Sequence, residues 1–414
     1  MTESLTTGAR GHATPPPELP SLLSQEFSRA PHPHYRRLRE QAPVWWDTET
    51  KCWYVTRYHE VNALLRDARL SARIGEGFYG DLGAPARAAV RDVAGFFDSW
   101  PMFTDPPEHT RMRSAAGPGY RPAGVRPLRD RIAREARELL AARDPGDTDL
   151  LGGFIHPLAV SVTCQLLGID EEHRESVLSW SSDIIGFIGV PQCDPDRAPR
   201  TRAAIRELQE YLRTVILPMA GAGQGPPQIR AFLDLEPRQG TALYAQLLTG
   251  GIEPVAASLA SALVGLLDGD QDVLDGLHRG RFDAAQVAEE ALRYDAPFHL
   301  VPRTATEPVE AAGATMRPGE RVALVVAAAN RDPAVFADPD RFRIPAAGEP
   351  DRPHLSFGAG HHFCLGAGIA RATLTEAVSA FAEWTAGRSS VRLKEADRAA
   401  AFSRTVWERV AVGL

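Results

Sequence analysis

Cys364 lies in the run Phe357-Gly358-Ala359-Gly360-His361-His362-Phe363-Cys364-Leu365-Gly366, one cysteine at a loop-to-helix junction with glycines on both sides. A thiolate that binds a metal such as iron needs surroundings of this kind. A bare sulfur anion is too basic and too easily oxidised for that task, so it needs hydrogen-bond donors. Glycines let backbone N–H groups turn toward the sulfur, and such bonds tune a metal ligand. A helix that begins near Cys364 adds its positive end, which favours the thiolate. The apolar stripe Leu365, Ile369, Leu374, Val378 and Phe381 predicts that helix. Zinc is a competing reading, because His361, His362 and Cys364 cluster. Structural zinc takes two separated ligand pairs, and the sequence holds no second pair.

Three further groupings can do chemistry. Glu290 and Arg293 stand three apart on a predicted helix, so their side chains meet on one face. As a solvated pair they contribute about 0.2–0.5 kcal/mol. His109 and Arg113 are spaced i,i+4 in Asp105-Pro106-Pro107-Glu108-His109-Thr110-Arg111-Met112-Arg113; they, Arg303 and His354 each read, alone, as surface charge. The third grouping is Gly250-Gly251-Ile252-Glu253-Pro254, inside the helical pattern Leu248, Ile252, Val255, Leu259, Leu263, Leu266 that predicts a long helix over 244–267. An interior proline removes a backbone donor, crowds the carbonyl four residues back and costs about 3 kcal/mol. Either the glycines absorb a kink here, or the stretch belongs to a site.

The cysteine segment closely resembles the haem-binding signature of the cytochrome P450 superfamily, the haem-thiolate monooxygenases. Phe357, Gly360, Cys364 and Gly366 stand at the family spacing. Gly358, His362 and Ala370-Arg371 give the form common in soluble bacterial members. The resemblance runs from about residue 30 to the end. It implies the P450 fold, mainly α with a small β-sheet portion, and Cys364 as the axial ligand of the haem iron. The haem would be haem b (iron protoporphyrin IX), held non-covalently, since Cys-x-x-Cys-His is absent. A thiolate ligand pushes electron density onto the iron and favours O–O cleavage.

By the same resemblance, His109, Arg113, Arg303 and His354 hold the haem propionates, with Phe357, Gly358, Gly360 and Gly366 shaping the cofactor loop. Glu290, Arg293 and Arg341 form a buried ionic cluster bracing that loop. Gly250, Gly251, Glu253 and Pro254 fall where the family has Ala/Gly-Gly-x-Asp/Glu-Thr, an acid–alcohol pair that delivers protons for oxygen activation. The acid is kept, but proline replaces the threonine, which opens coupling, desaturation or peroxide-driven oxidation beside hydroxylation. Substrate contacts are expected from residues 74–104, 179–190, 246–253, 297–301 and the turn near Phe402. Phe298, Leu300 and Val301 make an apolar wall, and His299 offers one polar contact. Phe78, Tyr79, Phe96 and Phe97 point to a flat or aromatic ligand.

Mostly helical elements must position these residues: 35–41, 59–66, 108–116, 124–142, 151–168, 172–190, 198–219 and the long helix. A hairpin is predicted over 44–47 and 52–56, and strands return at 308–326. The Thr-, Gly- and Pro-rich residues 1–20 predict a disordered tail, and 221–227 a flexible loop. No linker divides the rest, so 21–414 reads as a single domain. A net charge of −7 weighs against nucleic-acid binding. No run long enough to span a bilayer and no signal peptide are found, so no membrane partner and a cytoplasmic location are expected. Four scattered cysteines, Cys52, Cys164, Cys193 and Cys364, suit a reducing compartment.

The expected activity is a haem-thiolate oxidoreductase using O2 on a small organic substrate, plausibly a natural-product intermediate. Electrons would come from NAD(P)H through a ferredoxin and its ferredoxin reductase, since no flavin or iron–sulfur domain is fused here. Arg111, Arg121 and Arg371 are expected to form the basic face that steers an acidic ferredoxin. The alternative is a non-catalytic protein of the same fold that recruits other enzymes. Such a protein should lose the cysteine or obstruct its pocket, and Cys364 is present.

Overall fold

In a computed structural model, a buried helix of 32 residues, Pro237–Asp268, forms the axis of the molecule. The described residues are 19–73, 82–144, 146–188, 195–268, 272–346, 348–350, 352–387 and 391–413. Most of the expected tail, together with Phe78, Tyr79 and Cys193, lies outside them.

The axial helix is apolar on nearly all sides, as a helix surrounded by protein must be. Helices His156–Leu167, Arg174–Ile188, Ala284–Tyr294 and Ala367–Thr385 pack around it. Pro254 sits inside it without ending it. Gly251 lets it touch the His156–Leu167 helix, since a Cβ there would lie 2.6 Å from Thr163 Oγ1. Among the described residues this is the one helix of at least 18 residues apolar enough to cross a bilayer, which corrects the expectation that no such run exists. Most of it is buried, and its apolar character is that of a core element.

The helix that follows Cys364, Ala367–Thr385, is clamped from its other side by Pro122–Ala141, through Ile132, Ala136 and Leu140 at i, i+4, i+8. The helix carrying Glu290, Ala284–Tyr294, starts in a capping box between Asp283 and Gln286. Such a cap is worth about 1 kcal/mol and fixes where the helix begins.

The β portion is small. A five-stranded sheet runs in the order Val44–Asp47, Cys52–Val55, Arg321–Leu324, Val301–Ala305, Leu70–Ser71. Only the Cys52–Val55 and Arg321–Leu324 pair is parallel. A second sheet joins Asp147–Asp149, Trp407–Gly413 and Arg392–Arg398. The expected strands at 308–326 resolve into the hairpin Val309–Ala311 with Ala314–Met316, the strand Arg321–Leu324 and then the short helix Val326–Ala329. Under the larger sheet a second core gathers Leu38, Tyr54, Val55, Val61 and Leu324.

Two segments differ from expectation. Residues 84–97 form a helix, and Phe96 and Phe97 join the core rather than meet a ligand. Phe97 stacks on Phe187 with ring centroids 5.4 Å apart and planes 8° from parallel. The strands at 301–305 and 392–398 were not foreseen, because one contains proline and the other, Arg392-Leu393-Lys394-Glu395-Ala396-Asp397-Arg398, carries no apolar alternation.

Candidate active site

The loop before Cys364 is built on left-handed glycines. Gly358 has φ +67° and Gly360 φ +68°, a region L side chains rarely adopt. Gly360 also packs so close that a Cβ would lie 3.1 Å from the Leu65 carbonyl oxygen. The Cys364 N–H donates to the Phe357 carbonyl at 2.8 Å, closing the loop. The Ala367 N–H donates to the Cys364 carbonyl at 3.4 Å at the start of the helix that follows.

Burial pushes the Cys364 thiol above its ordinary value; the Gly366 N–H, Arg113, Arg371 and the Ala367 N–H pull it down without outweighing burial. A cation bound at the sulfur would complete the balance, as it does for a metal-ligating thiolate. The other two described cysteines lack this setting. Burial drives Cys52 up to about 12 and Cys164 up to about 11.

Cys364 opens on a cavity of about 440 Å³. Facing it across the cavity lining are Gly250, Gly251 and Pro254 of the axial helix; Phe298, Leu300, Val301 and Phe402 supply apolar wall. His109, Arg113 and Arg303 reach the same space. Their charges are poorly offset. Arg303 is lowered to about 10 by burial, with Asp105 the acid that opposes the shift. His362 stacks near His109 with ring centroids 4.2 Å apart and is lowered to about 3 by burial, Arg303 and His109. His109 Nδ1 is buried and has no hydrogen-bond partner among the described residues. Buried cations with an orphaned donor or acceptor fit a group carrying carboxylates, such as the two propionates of a haem.

Four expected members stand elsewhere. His354 is absent from the lining; its Nδ1 accepts the Ser356 N–H at 3.2 Å and its Nε2 lies 3.3 Å from Glu289. Burial raises Glu289, but hydrogen bonds from His354 and Arg371 prevail and bring it to about 2. His299 lies behind the wall rather than on it, with Nε2 3.1 Å from Thr405 Oγ1 and Nδ1 3.5 Å from the Tyr35 hydroxyl. The extended chain turns Phe298 and Leu300 to one side and His299 to the other. Glu253 is likewise outside the lining, while Gly250 and Pro254, one turn apart, are on it. Its carboxylate lies 4.0 Å from Arg404.

The fourth is Arg341, whose residue is exposed and which joins the bracing cluster through its carbonyl. Glu290 and Arg293 are buried and pair through two bonds of 2.7 Å. Glu290 also accepts the Arg343 N–H at 2.8 Å. Arg293 donates to the carbonyls of Asn330, Pro339 and Arg341 at 3.1, 2.8 and 3.0 Å. The Asn330 amide then bonds Ser356 Oγ and the Leu355 N–H, at 2.8 and 2.7 Å. The ion pair is thus tied to the segment that enters the cysteine loop.

Of the three arginines expected on the electron-entry face, Arg371 grips Glu289 at 2.6 and 3.0 Å and lies over the Phe357 ring. Arg111 bonds Gln239. Arg121 is exposed and directly follows Tyr120, a half-buried cavity residue whose hydroxyl is raised by burial and by Cys364. Tyr120 and Arg404 were missed as site residues, and His362 was noted only within the cysteine signature. Tyr120 and Arg404 are lone polar side chains with no spacing to mark them.

A family model described as Cytochrome P450 matches residues 284–381. The chain is 32% identical over 369 residues to 6-deoxyerythronolide B hydroxylase of Saccharopolyspora erythraea, covering 85% of this chain and 88% of that one. It is 30% identical to cytochrome P450 monooxygenase PikC of Streptomyces venezuelae, covering 90% and 88%. Among solved structures, P450BioI in complex with a hexadec-9Z-enoic acid-ligated acyl carrier protein superposes with a TM-score of 0.84 at 27% identity, covering 94% of this chain and all of that one.

Proposed function

This chain belongs to the cytochrome P450 family, and we propose that it oxidises a small organic molecule in natural-product tailoring, with Cys364 as ligand to a non-covalent haem b. It is an enzyme of the monooxygenase class; the family works with haem and O2 and takes electrons from a redox partner. The two relatives named above, a hydroxylase and a monooxygenase, support the substrate class. The observation that carries the reading is Cys364 itself, behind a loop of left-handed glycines and in one cavity with His109, Arg113 and Arg303.

The bound haem would supply the activation of O2. In this reading the chain's own residues do the rest. The Gly366 and Ala367 N–H groups favour the thiolate, and His109, Arg113 and Arg303 neutralise the propionates. The apolar wall excludes water and orients the substrate. Reduced protein treated with carbon monoxide should show the thiolate-type Soret band, and a colourless protein would favour the non-catalytic recruiter. Electrons would reach it from NAD(P)H through a ferredoxin and its reductase, in the cytoplasm. Charge reversal at Arg121 should slow ferredoxin-driven reduction and leave substrate titrations unchanged; unaltered, salt-insensitive reduction would place the docking face elsewhere.

Pro254 sets the oxygen side apart. It brings no hydroxyl to the cavity and no N–H to its own helix, so the Gly250 carbonyl oxygen loses its usual donor. That oxygen can accept a water or a substrate hydroxyl instead. Thr249, also on the lining, already donates its hydroxyl to the Ala245 carbonyl at 2.9 Å. Protons therefore come by water at Gly250, from the Glu253 carboxyl, or from the substrate. Restoring a positioned proton donor with Pro254→Thr should change the peroxide released per NAD(P)H consumed by about a hundredfold, the low end of what such groups contribute, or alter the product pattern. If turnover, leakage and products all match the parent, the proline is a helix kink and nothing more.

A further inference from the structure

Arg404 is a buried cation on the wall of an apolar cavity. It lines the same space as Cys364, and its side chain is only 17% exposed. Its Nε is buried with no hydrogen-bond partner among the described residues. The carboxylate paired with it, Glu253, lies 4.0 Å away, beyond hydrogen-bond reach. Burial lowers the Arg404 guanidinium below its ordinary value, Glu253 opposes that and Arg197 adds to it. Arg197 belongs to this corner, since its Nη1 lies over Gly186, whose helix also gives Ile185 and Ile188 to the cavity wall.

The backbone around Arg404 is fixed on both sides. The Ser403 carbonyl accepts the His299 N–H at 2.8 Å, and the Thr405 N–H donates to the Pro297 carbonyl at 3.0 Å. Phe298 and Arg404 pair as an antiparallel bridge between those two bonds. Thr405 Oγ1 is tied in turn to the buried Asp295 at 3.2 Å. A guanidinium on so rigid a turn is positioned before any ligand arrives, which lowers the ordering cost of binding. Burying most of a guanidinium whose carboxylate stands beyond hydrogen-bond reach is unfavourable for the fold alone. A planar fork of N–H donors matches a carboxylate through two parallel bonds.

We propose that Arg404 anchors a carboxylate on the substrate, with the apolar remainder of that molecule lying along the Phe298, Leu300 and Phe402 wall. The inference rests on the haem-and-substrate reading of this cavity and narrows it to anionic substrates. The test uses the full haem-loaded chain and a series of straight-chain and aromatic carboxylic acids, each beside its methyl ester. Dissociation constants are read by calorimetry and by the Soret shift of the iron's spin state.

In the parent, at least one acid should bind about tenfold or more tighter than its ester, the strength of a charge-assisted hydrogen bond. In Arg404→Gln that preference should collapse to within about twofold, and Arg404→Lys should keep part of it, because a point charge lacks the fork. An intact thiolate-type Soret band in both variants shows that the cavity has survived. The anchor is overturned if no acid outbinds its ester in the parent, or if the preference persists in Arg404→Gln. A parent that lacks the thiolate band sinks the haem reading and this inference with it. A parent with the band and no acid preference sinks the anchor alone.

Discussion

Cys364→His abolishes the thiolate-type Soret band of the reduced, carbon monoxide-treated protein. The expectation is all-or-none because the sulfur's surroundings cannot be shared with another group. The Gly366 and Ala367 N–H groups favour an anionic sulfur at this position, and a neutral imidazole supplies no such anion. Neither remaining described cysteine can substitute. Their thiols are held at about 12 and about 11 by burial, and neither sits in a glycine loop at a helix start. The loop itself should survive the change, since its closure runs through the Cys364 N–H to the Phe357 carbonyl and not through the side chain. An unchanged band in the variant would remove Cys364 from the iron and with it the whole assignment.

What could be read in advance follows the range of the interactions concerned. The cysteine loop was legible because its requirements are local: Gly358 and Gly360 stand at positive φ, and the helix stripe after Cys364 has its own period. Glu290 and Arg293 were legible as a spacing, since i,i+3 places two side chains together whatever else surrounds the helix. Their backbone partners were not, because the Arg343 N–H and the Asn330 carbonyl are brought in by tertiary folding. Arg341 shows the limit well. Expected as a third charge, it also gives the cluster its carbonyl, which no spacing announces.

Side-chain direction was the other gap. His299, between Phe298 and Leu300, needed only the alternation of extended chain to be placed behind the wall. Phe96 and Phe97 needed the recognition of a helix over 84–97, whose alanines and valines bury one side. Arg404 had no signal at all. A lone arginine in a turn becomes a site residue only once Phe298 pairs with it and Glu253 stops 4.0 Å short.

The brace behind the cysteine loop carries the second large effect. Glu290→Ala should destabilise the folded, haem-loaded chain by about 3–5 kcal/mol, the cost of leaving one member of a buried pair uncompensated. Arg293 would keep three carbonyl acceptors but lose its counter-charge, and the Arg343 N–H would lose its acceptor. The same pair replaced at both ends, Glu290→Leu with Arg293→Met, should recover much of that loss, because apolar side chains of similar volume often match a buried ion pair in stability. Denaturant unfolding of the parent, the two single variants and the double variant closes the cycle. Loss of haem on dilution gives a separate readout, since Asn330 ties Arg293 to Ser356 at the entrance of the loop. If Glu290→Ala costs no more than the about 0.2–0.5 kcal/mol of a solvated helical pair, the burial seen here does not govern its energy. If the single losses simply add in the double variant, the two residues act independently and do not form a brace.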